Sequence, residues 1–152
     1  MHGVHESHQH PLPSAWPPRR KCAALALGLV GVGVLATVFL PIGWQLNRFV
    51  VWVYYQGRGV GISFITIQGY EFLLNMVLFA VPAWLAVMVW PRVPWWAWIV
   101  LALVASTGIE LTQGRFLPRN ADWLDVVANT GGALLATAAL AVWRHRRTSD
   151  RA

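Results

Sequence analysis

Four long apolar segments, each with few or no charged residues, constrain this chain more than any other feature. They run from Cys22 to Leu40, from Phe72 to Trp90, from Trp95 to about Thr112, and from about Leu124 to Trp143. A helix that spans a bilayer needs about 20 predominantly apolar residues. The chain is 57% hydrophobic and 12% charged, and that charged fraction is about half the usual value for a soluble domain. We therefore predict an all-α integral membrane bundle of four transmembrane helices.

The segment after the first span has a different character. The stretch "LNRFVVWVYYQGRG" is aromatic, contains Arg48 and Arg58, and is too short to cross the bilayer. It predicts an interfacial helix or a re-entrant segment. The glycine-punctuated stretch "GVGISFITIQGYE", which follows it, predicts a loop.

We predict a membrane domain over residues 22–143, with a polar tail before it and another after it in the sequence. Residues 1–21 are rich in proline and contain His2, His5, His8 and His10. We predict a disordered cytoplasmic tail here rather than a metal site, because nothing nearby in the sequence would hold the imidazoles together. Residues 144–152 are predicted to form a basic cytoplasmic tail.

Lysine and arginine are distributed unequally between the two sides of the predicted bundle. With four crossings, both termini lie on the side of the turn "PRVP". That side carries eight Lys or Arg residues, against four on the other side. Cytoplasmic segments carry the excess of positive charge, so we predict that both termini are cytoplasmic. Basic clusters that flank apolar spans also disfavour nucleic-acid binding, which needs a basic patch on a folded surface.

Polar residues from three spans fall at one end of this bundle. Glu71 and Asn75 begin the second span, Glu110 and Gln113 end the third, and Asp122, Asp125 and Asn129 begin the fourth. Within each span the spacing is three or four residues, so each set shares a helix face. Ionisable residues inside a membrane are costly and usually face the bundle interior. The pattern predicts a polar pocket that opens at the outer surface.

The same residues could instead have purely structural roles. Asp122 is a candidate N-cap for the fourth helix. Glu110 could pair with Arg115 or Arg119. Asn75 and Asn129 could form hydrogen bonds between helices.

Three motifs follow one another along these spans. The second span carries Asn75, Phe79 and Pro82; the third carries Ile109, Glu110 and Gln113; the fourth carries Asp125, Asn129, Thr130 and Gly132. Together with Arg115 or Arg119 and with Asp122, they resemble the VanZ-like family of small bacterial membrane proteins over about residues 70–140. That family is named for a protein that raises resistance to teicoplanin. The resemblance implies a multi-pass protein of the bacterial cytoplasmic membrane with a role in the cell envelope. It does not identify a reaction that the protein would catalyse.

We favour a non-catalytic function. The pocket would bind a lipid headgroup, a lipid-linked cell-wall precursor or the lipid tail of a glycopeptide, and no cofactor is needed. The predicted ligand-binding residues are Asn75, Glu110, Gln113, Arg115, Arg119, Asp122, Asp125 and Asn129. Arginines at this end, with Arg48 and Arg58, suit phosphate because a guanidinium can bind it in a bidentate mode.

The alternative is a membrane-embedded enzyme that acts on a lipid-linked substrate. Glu110 or Asp125 would be the general acid or base. A divalent metal held by Glu110, Asp122 and Asp125 is a variant of this hypothesis, since hard cations prefer oxygen ligands. No histidine lies near the cluster and no Ser or Cys nucleophile is evident, which disfavours the enzyme.

The first span is rich in glycine. Gly28, Gly31 and Gly33 would permit close approach of another helix, and therefore permit homodimers without requiring them.

Overall fold

The computed structural model describes residues 16–40, 43–116 and 122–149, which form five α-helices and no strand. The helices are α1 (Pro18–Phe39), α2 (Gly43–Gly59), α3 (Ile67–Val89), α4 (Trp95–Phe116) and α5 (Trp123–Ser149). Within these ranges, every helix except α2 is long and apolar enough to cross a membrane. The prediction of an all-α bundle with four membrane-spanning helices is confirmed. The four N-terminal histidines and Arg119 lie outside the described residues.

The helix α3 is the centre of the bundle. It packs most extensively along α5 and also contacts α1, α2 and α4, while α4 packs mainly on α5. Gly132 lets the backbones of α5 and α3 approach each other closely, because a Cβ at this position would overlap the carbonyl oxygen of Met76 on α3. Small residues at helix interfaces in membranes let two backbones approach in this way. The buried side chains of α5 nearby are also small, as in Ala128 and Ala133.

The helix α3 begins earlier than its predicted start at Phe72. It begins at Ile67, so part of the predicted loop is helical. Thr66 accounts for the difference, because its hydroxyl accepts the Gly69 backbone N–H at 3.1 Å and caps the first turn.

The two outer helices extend into the predicted tails. The helix α1 begins at Pro18 rather than Cys22, and proline suits a first helical turn because the N–H that it lacks would have no helical partner there. The helix α5 continues past Trp143 to Ser149. The basic residues on both sides of the membrane domain therefore belong largely to helices.

The helix α2 lies against the start of α3. Tyr70 packs so closely on Gly57 that a Cβ there would overlap the phenol, and the Tyr54 and Tyr70 rings meet edge-on with centroids 5.9 Å apart. Several other aromatic side chains of α2 are exposed, including Trp44 and Trp52. An aromatic helix that is too short to span suits the membrane interface.

Two arginines bind the last turn of α3. Arg20 on α1 donates from Nε to the Val89 carbonyl at 2.6 Å, and Arg144 on α5 donates from Nη2 to the Val87 carbonyl at 3.2 Å. The last four carbonyls of a helix have no partner within it, and cations are favourable there. These arginines therefore tie three helix ends together. We call this the basic end of the bundle, and the opposite end, where α3 and α5 begin and α4 ends, the polar end.

The glycines of α1 make no close contact within the chain. Nothing lies within 4 Å of a Cβ built at Gly28, Gly31 or Gly33. The close approach that these residues permit is therefore not used inside this bundle, and the homodimer stays a prediction.

Gly132→Ala should destabilise the bundle, because the added methyl group meets the Met76 backbone rather than a movable side chain. Overpacking of this kind costs about 1–3 kcal/mol or more. Gly131→Ala is the matched control, since a Cβ there meets only the end of the Met76 side chain at 3.9 Å. Thermal unfolding of the purified variants in detergent measures the difference. Equal midpoints for the two variants would contradict this account of α3–α5 packing.

Candidate functional site

One face of α4 buries three polar side chains. Ser106, Glu110 and Gln113 are 0, 3 and 6% exposed, although they lie on a helix that is otherwise apolar enough to span a membrane. Their spacing of four and then three residues places them in one stripe. Buried polar groups are costly unless they are hydrogen-bonded. The stripe faces α5, as the contacts of Ser106 and Glu110 show.

Glu110 joins the end of α4 to the start of α5. Its Oε2 accepts the Asp122 backbone N–H at 2.8 Å. The Asp122 side chain is exposed and accepts the Leu124 N–H at 2.9 Å, as an N-cap does. Asp122 thus has the capping role that the sequence allowed, and its part in ligand binding stays a prediction.

A second contact joins α3 to α5. Asn75 Nδ2 donates a hydrogen bond to Asp125 Oδ1, and the pair is partly buried. This bond brings together two of the polar stripes that the sequence predicts to face each other. Glu71, one turn before Asn75, is exposed.

Asn129 lies about one turn deeper than Asp125 and is 5% exposed. Its Nδ2 donates to Ser106 Oγ at 2.8 Å. Its Oδ1 is buried and has no hydrogen-bond partner among the described residues, and the same holds for the neighbouring Thr130 hydroxyl. Leaving such a group unsatisfied costs about 1–3 kcal/mol. Asn129 Oδ1 is therefore an acceptor that a ligand donor could use.

The structure thus assembles residues from three helices at and below the polar end. We call the following set the polar cluster: Asn75, Ser106, Glu110, Gln113, Asp125 and Asn129. Five of these are predicted ligand-binding residues. The sixth, Ser106, was not among the predicted residues. The sequence feature that points to Ser106 is its position one turn before Glu110 on the same helix face.

Among the described residues, the arginines predicted to bind phosphate occupy the surface rather than the polar cluster. Arg115, in the last turn of α4, is exposed, with its guanidinium 6.0 Å from the centroid of the Phe116 ring. Arg48 and Arg58 are exposed on α2. Arg58 donates from Nη1 to Tyr54 Oη at 2.9 Å, and this hydrogen bond raises the pKa of Arg58. Any contact of Arg115 with an anionic ligand would therefore be made at the surface, outside the polar cluster.

A metal site has no support from the geometry. Within the described ranges, no group of three or more His, Cys, Asp or Glu residues is placed to hold a metal ion. The Asp122 carboxylate caps α5 instead of joining Glu110 and Asp125.

An apolar cavity of about 880 Å³ is bordered by α1, α3 and α4. Phe79 and Pro82 of α3 contribute to it, and so do Ile109 and Thr112 of α4. Phe79 is four residues after Asn75 and therefore lies on the same face of α3. None of the polar-cluster residues borders the cavity, and Asn75 is bonded to Asp125 on α5.

A protein-family model described as VanZ/LLP1 matches residues 23–144. That range contains the whole polar cluster, the helices α2, α3 and α4, and most of α1 and α5. No curated protein and no solved structure shows a significant match to the chain.

The Ser106–Asn129 hydrogen bond should hold α4 to α5. Ser106→Ala leaves the Asn129 amide without its acceptor, so we expect a loss of about 0.6–2 kcal/mol, the range for buried polar contacts in membrane proteins. A double-mutant cycle with Asn129→Ala, followed by thermal or detergent unfolding, isolates the pair. Additive effects of the two substitutions would show that the bond contributes nothing.

Proposed function

The chain belongs to the VanZ/LLP1 family and has four helices that can span a membrane, and we propose that its polar cluster binds the headgroup of a lipid or of a lipid-linked ligand. The observation that carries the proposal is Asn129 Oδ1, a buried acceptor without a partner among the described residues. It lies inside a membrane-spanning helix, where helix packing alone would favour an apolar side chain.

The chemistry of the polar cluster defines the ligand groups that suit it. The side-chain oxygens of Asn129, Glu110 and Asp125 accept hydrogen bonds, so the hydroxyl or amine donors that many headgroups carry suit the cluster. Arg115, exposed at the same end, could contact a phosphate at the headgroup's outer side. A headgroup with both a donor and a phosphate would use both features.

The proposed orientation places the polar end outside a bacterial cytoplasmic membrane, with both termini in the cytoplasm. The excess of Lys and Arg at the basic end supports it. A ligand held at the outer leaflet would change how a lipid-linked precursor or a lipid-anchored glycopeptide is presented there. We propose this as the route by which the protein could contribute to teicoplanin-type resistance.

A membrane-embedded enzyme is the second candidate, and Ser106 supports it. The serine hydroxyl is fully buried one turn from the buried Glu110, so a hydroxyl and a carboxylate lie on the same helix face. Glu110 or Asp125 would then transfer the proton to or from a lipid-linked substrate.

Lipid mass spectrometry on the purified protein tests the binding proposal. We expect a lipid species that co-purifies with the native chain and is reduced at least ten-fold by Asn129→Leu, which removes the free acceptor. Thr112→Val is the control, because the Thr112 hydroxyl donates within its own helix, to the Gly108 carbonyl at 2.7 Å. Equal retention by the native chain and Asn129→Leu would refute headgroup binding at Asn129.

Glu110→Gln separates the two functions. If the protein only binds a lipid, the glutamine keeps a hydrogen-bonding side chain of the same shape. The lipid should then be retained, and cellular lipids should be unchanged. An enzyme that uses Glu110 as its base would retain substrate and lose product. A product that disappears from cellular lipids in this variant would favour the enzyme over the binding protein.

A reporter-fusion scan tests the orientation. Fusions within residues 117–121 should report an external position, and fusions at Arg92 or after Ser149 should report the cytoplasm, because the basic end carries the larger number of Lys and Arg residues. The opposite pattern would place the polar cluster on the cytoplasmic side and end the proposal of an outer-leaflet ligand.

A further inference from the structure

The charges of the described residues are separated along the bundle. All four of the described Asp and Glu residues belong to the polar end: Glu71, Glu110, Asp122 and Asp125. The basic end carries seven Lys and Arg residues, three at the start of α1, one in the turn before α4 and three near the end of α5. The other two acids of the chain, Glu6 and Asp150, lie outside the described residues. Among the described residues, therefore, no carboxylate offsets the positive charge of the basic end.

Arg20 is held in place where α1 meets the end of α3. Its Nε donates to the Val89 carbonyl at 2.6 Å, and its guanidinium lies 4.3 Å from the centroid of the Trp16 ring. Arg20 has no other hydrogen-bond acceptor among the described residues, so its two Nη groups can donate to a ligand. Arg92 is exposed in the turn three residues after Val89. A fixed guanidinium with a second cation nearby suits a phosphate, which accepts several charge-assisted hydrogen bonds.

Tryptophan side chains place these cations at the level of the lipid headgroups. Tryptophan concentrates where a membrane protein passes from hydrocarbon to water. Arg20 lies over the Trp16 ring, and the Arg147 guanidinium is 4.1 Å from the centroid of the Trp143 ring. Five exposed tryptophans belong to the basic end: Trp16, Trp90, Trp95, Trp96 and Trp143. The positive charge thus lies in the headgroup layer, where a phospholipid phosphate reaches it directly and a soluble acidic protein or nucleic acid does not.

We infer that the basic end is a binding site for an anionic phospholipid, whose phosphate is held by Arg20 and Arg92. Basic pockets between membrane helices bind anionic headgroups of the cytoplasmic leaflet, and the fixed position of Arg20 adds a directional contact to that attraction. The site lies at the opposite end of the bundle from the polar cluster, so it is independent of the ligand proposed there.

Native mass spectrometry of the full chain in detergent tests the inference. The protein is titrated with phosphatidylglycerol, which is anionic, and with phosphatidylethanolamine of the same acyl chains, which is zwitterionic. We expect phosphatidylglycerol to bind about ten-fold more tightly. Its affinity should fall as the ammonium acetate concentration rises, because salt screens exposed charges. Equal affinities for the two lipids would overturn the inference.

Arg92→Gln combined with Lys21→Gln removes two exposed cations beside Arg20. Attraction to anionic lipid weakens about five-fold for each cation removed, so the affinity for phosphatidylglycerol should fall about 25-fold while that for phosphatidylethanolamine is unchanged. Gln45→Glu combined with Gln56→Glu is the matched control, because it lowers the net charge equally at exposed positions of α2. An equal loss of affinity in the control would mean that only the overall net charge matters, and that result would also overturn the inference.

Three further outcomes are decisive. Loss of phosphatidylglycerol binding in Asn129→Leu, but not in the variant that lacks Lys21 and Arg92, would move the lipid to the polar cluster and overturn the inference. Full displacement of the lipid by inorganic phosphate would identify a site for a free anion instead. Tight binding of polyglutamate without binding of phosphatidylglycerol would replace the lipid with an acidic protein. Phosphatidylglycerol binding that needs Arg92 and Lys21 upholds the inference even if Asn129→Leu leaves lipid retention unchanged, so its failure and that of the proposed function are distinguishable.

Discussion

Polar side chains within a bilayer cannot face hydrocarbon without cost, and the packing of α3, α4 and α5 follows from this constraint. A charged residue at the centre of a spanning helix costs about 2.5–3.5 kcal/mol on insertion scales, and an unpaired amide also loses its hydrogen bonds. Each of the three helices carries its polar residues on one face, so the cost is reduced only when those faces meet. The Asn75–Asp125 and Ser106–Asn129 bonds are the result.

The two ends of the bundle are held by different interactions. At the basic end, Arg20 and Arg144 donate to the last carbonyls of α3 and join three helices. At the polar end, Glu110 accepts the Asp122 N–H and fixes where α5 starts relative to α4. Between them, Gly132 lets α5 lie directly on α3. The helix α1 is packed mainly on α3, which leaves an apolar cavity between α1 and α4.

The sequence was sufficient to predict the four spans, because length and hydropathy determine them, and to predict that polar faces converge, because that needs only topology. It missed Ser106, since a single hydroxyl in an apolar run is also common in helix packing. The sequence could not show that Arg115 is exposed while Glu110 is buried, because the burial of a side chain at a helix end depends on the neighbouring helix. The start of α3 was misplaced because the Thr66 cap acts through a single local hydrogen bond. The apolar cavity depends on how far α1 lies from α4, which no local sequence pattern determines.

The central claim is that the polar cluster is a ligand site rather than only a packing network. A crystal structure of the full chain grown in a lipidic phase tests it most directly. We expect a lipid headgroup with a donor atom within hydrogen-bond distance of Asn129 Oδ1. A structure in which Asn129 Oδ1 is satisfied by the protein's own side chains, with no lipid at the cluster, would contradict it.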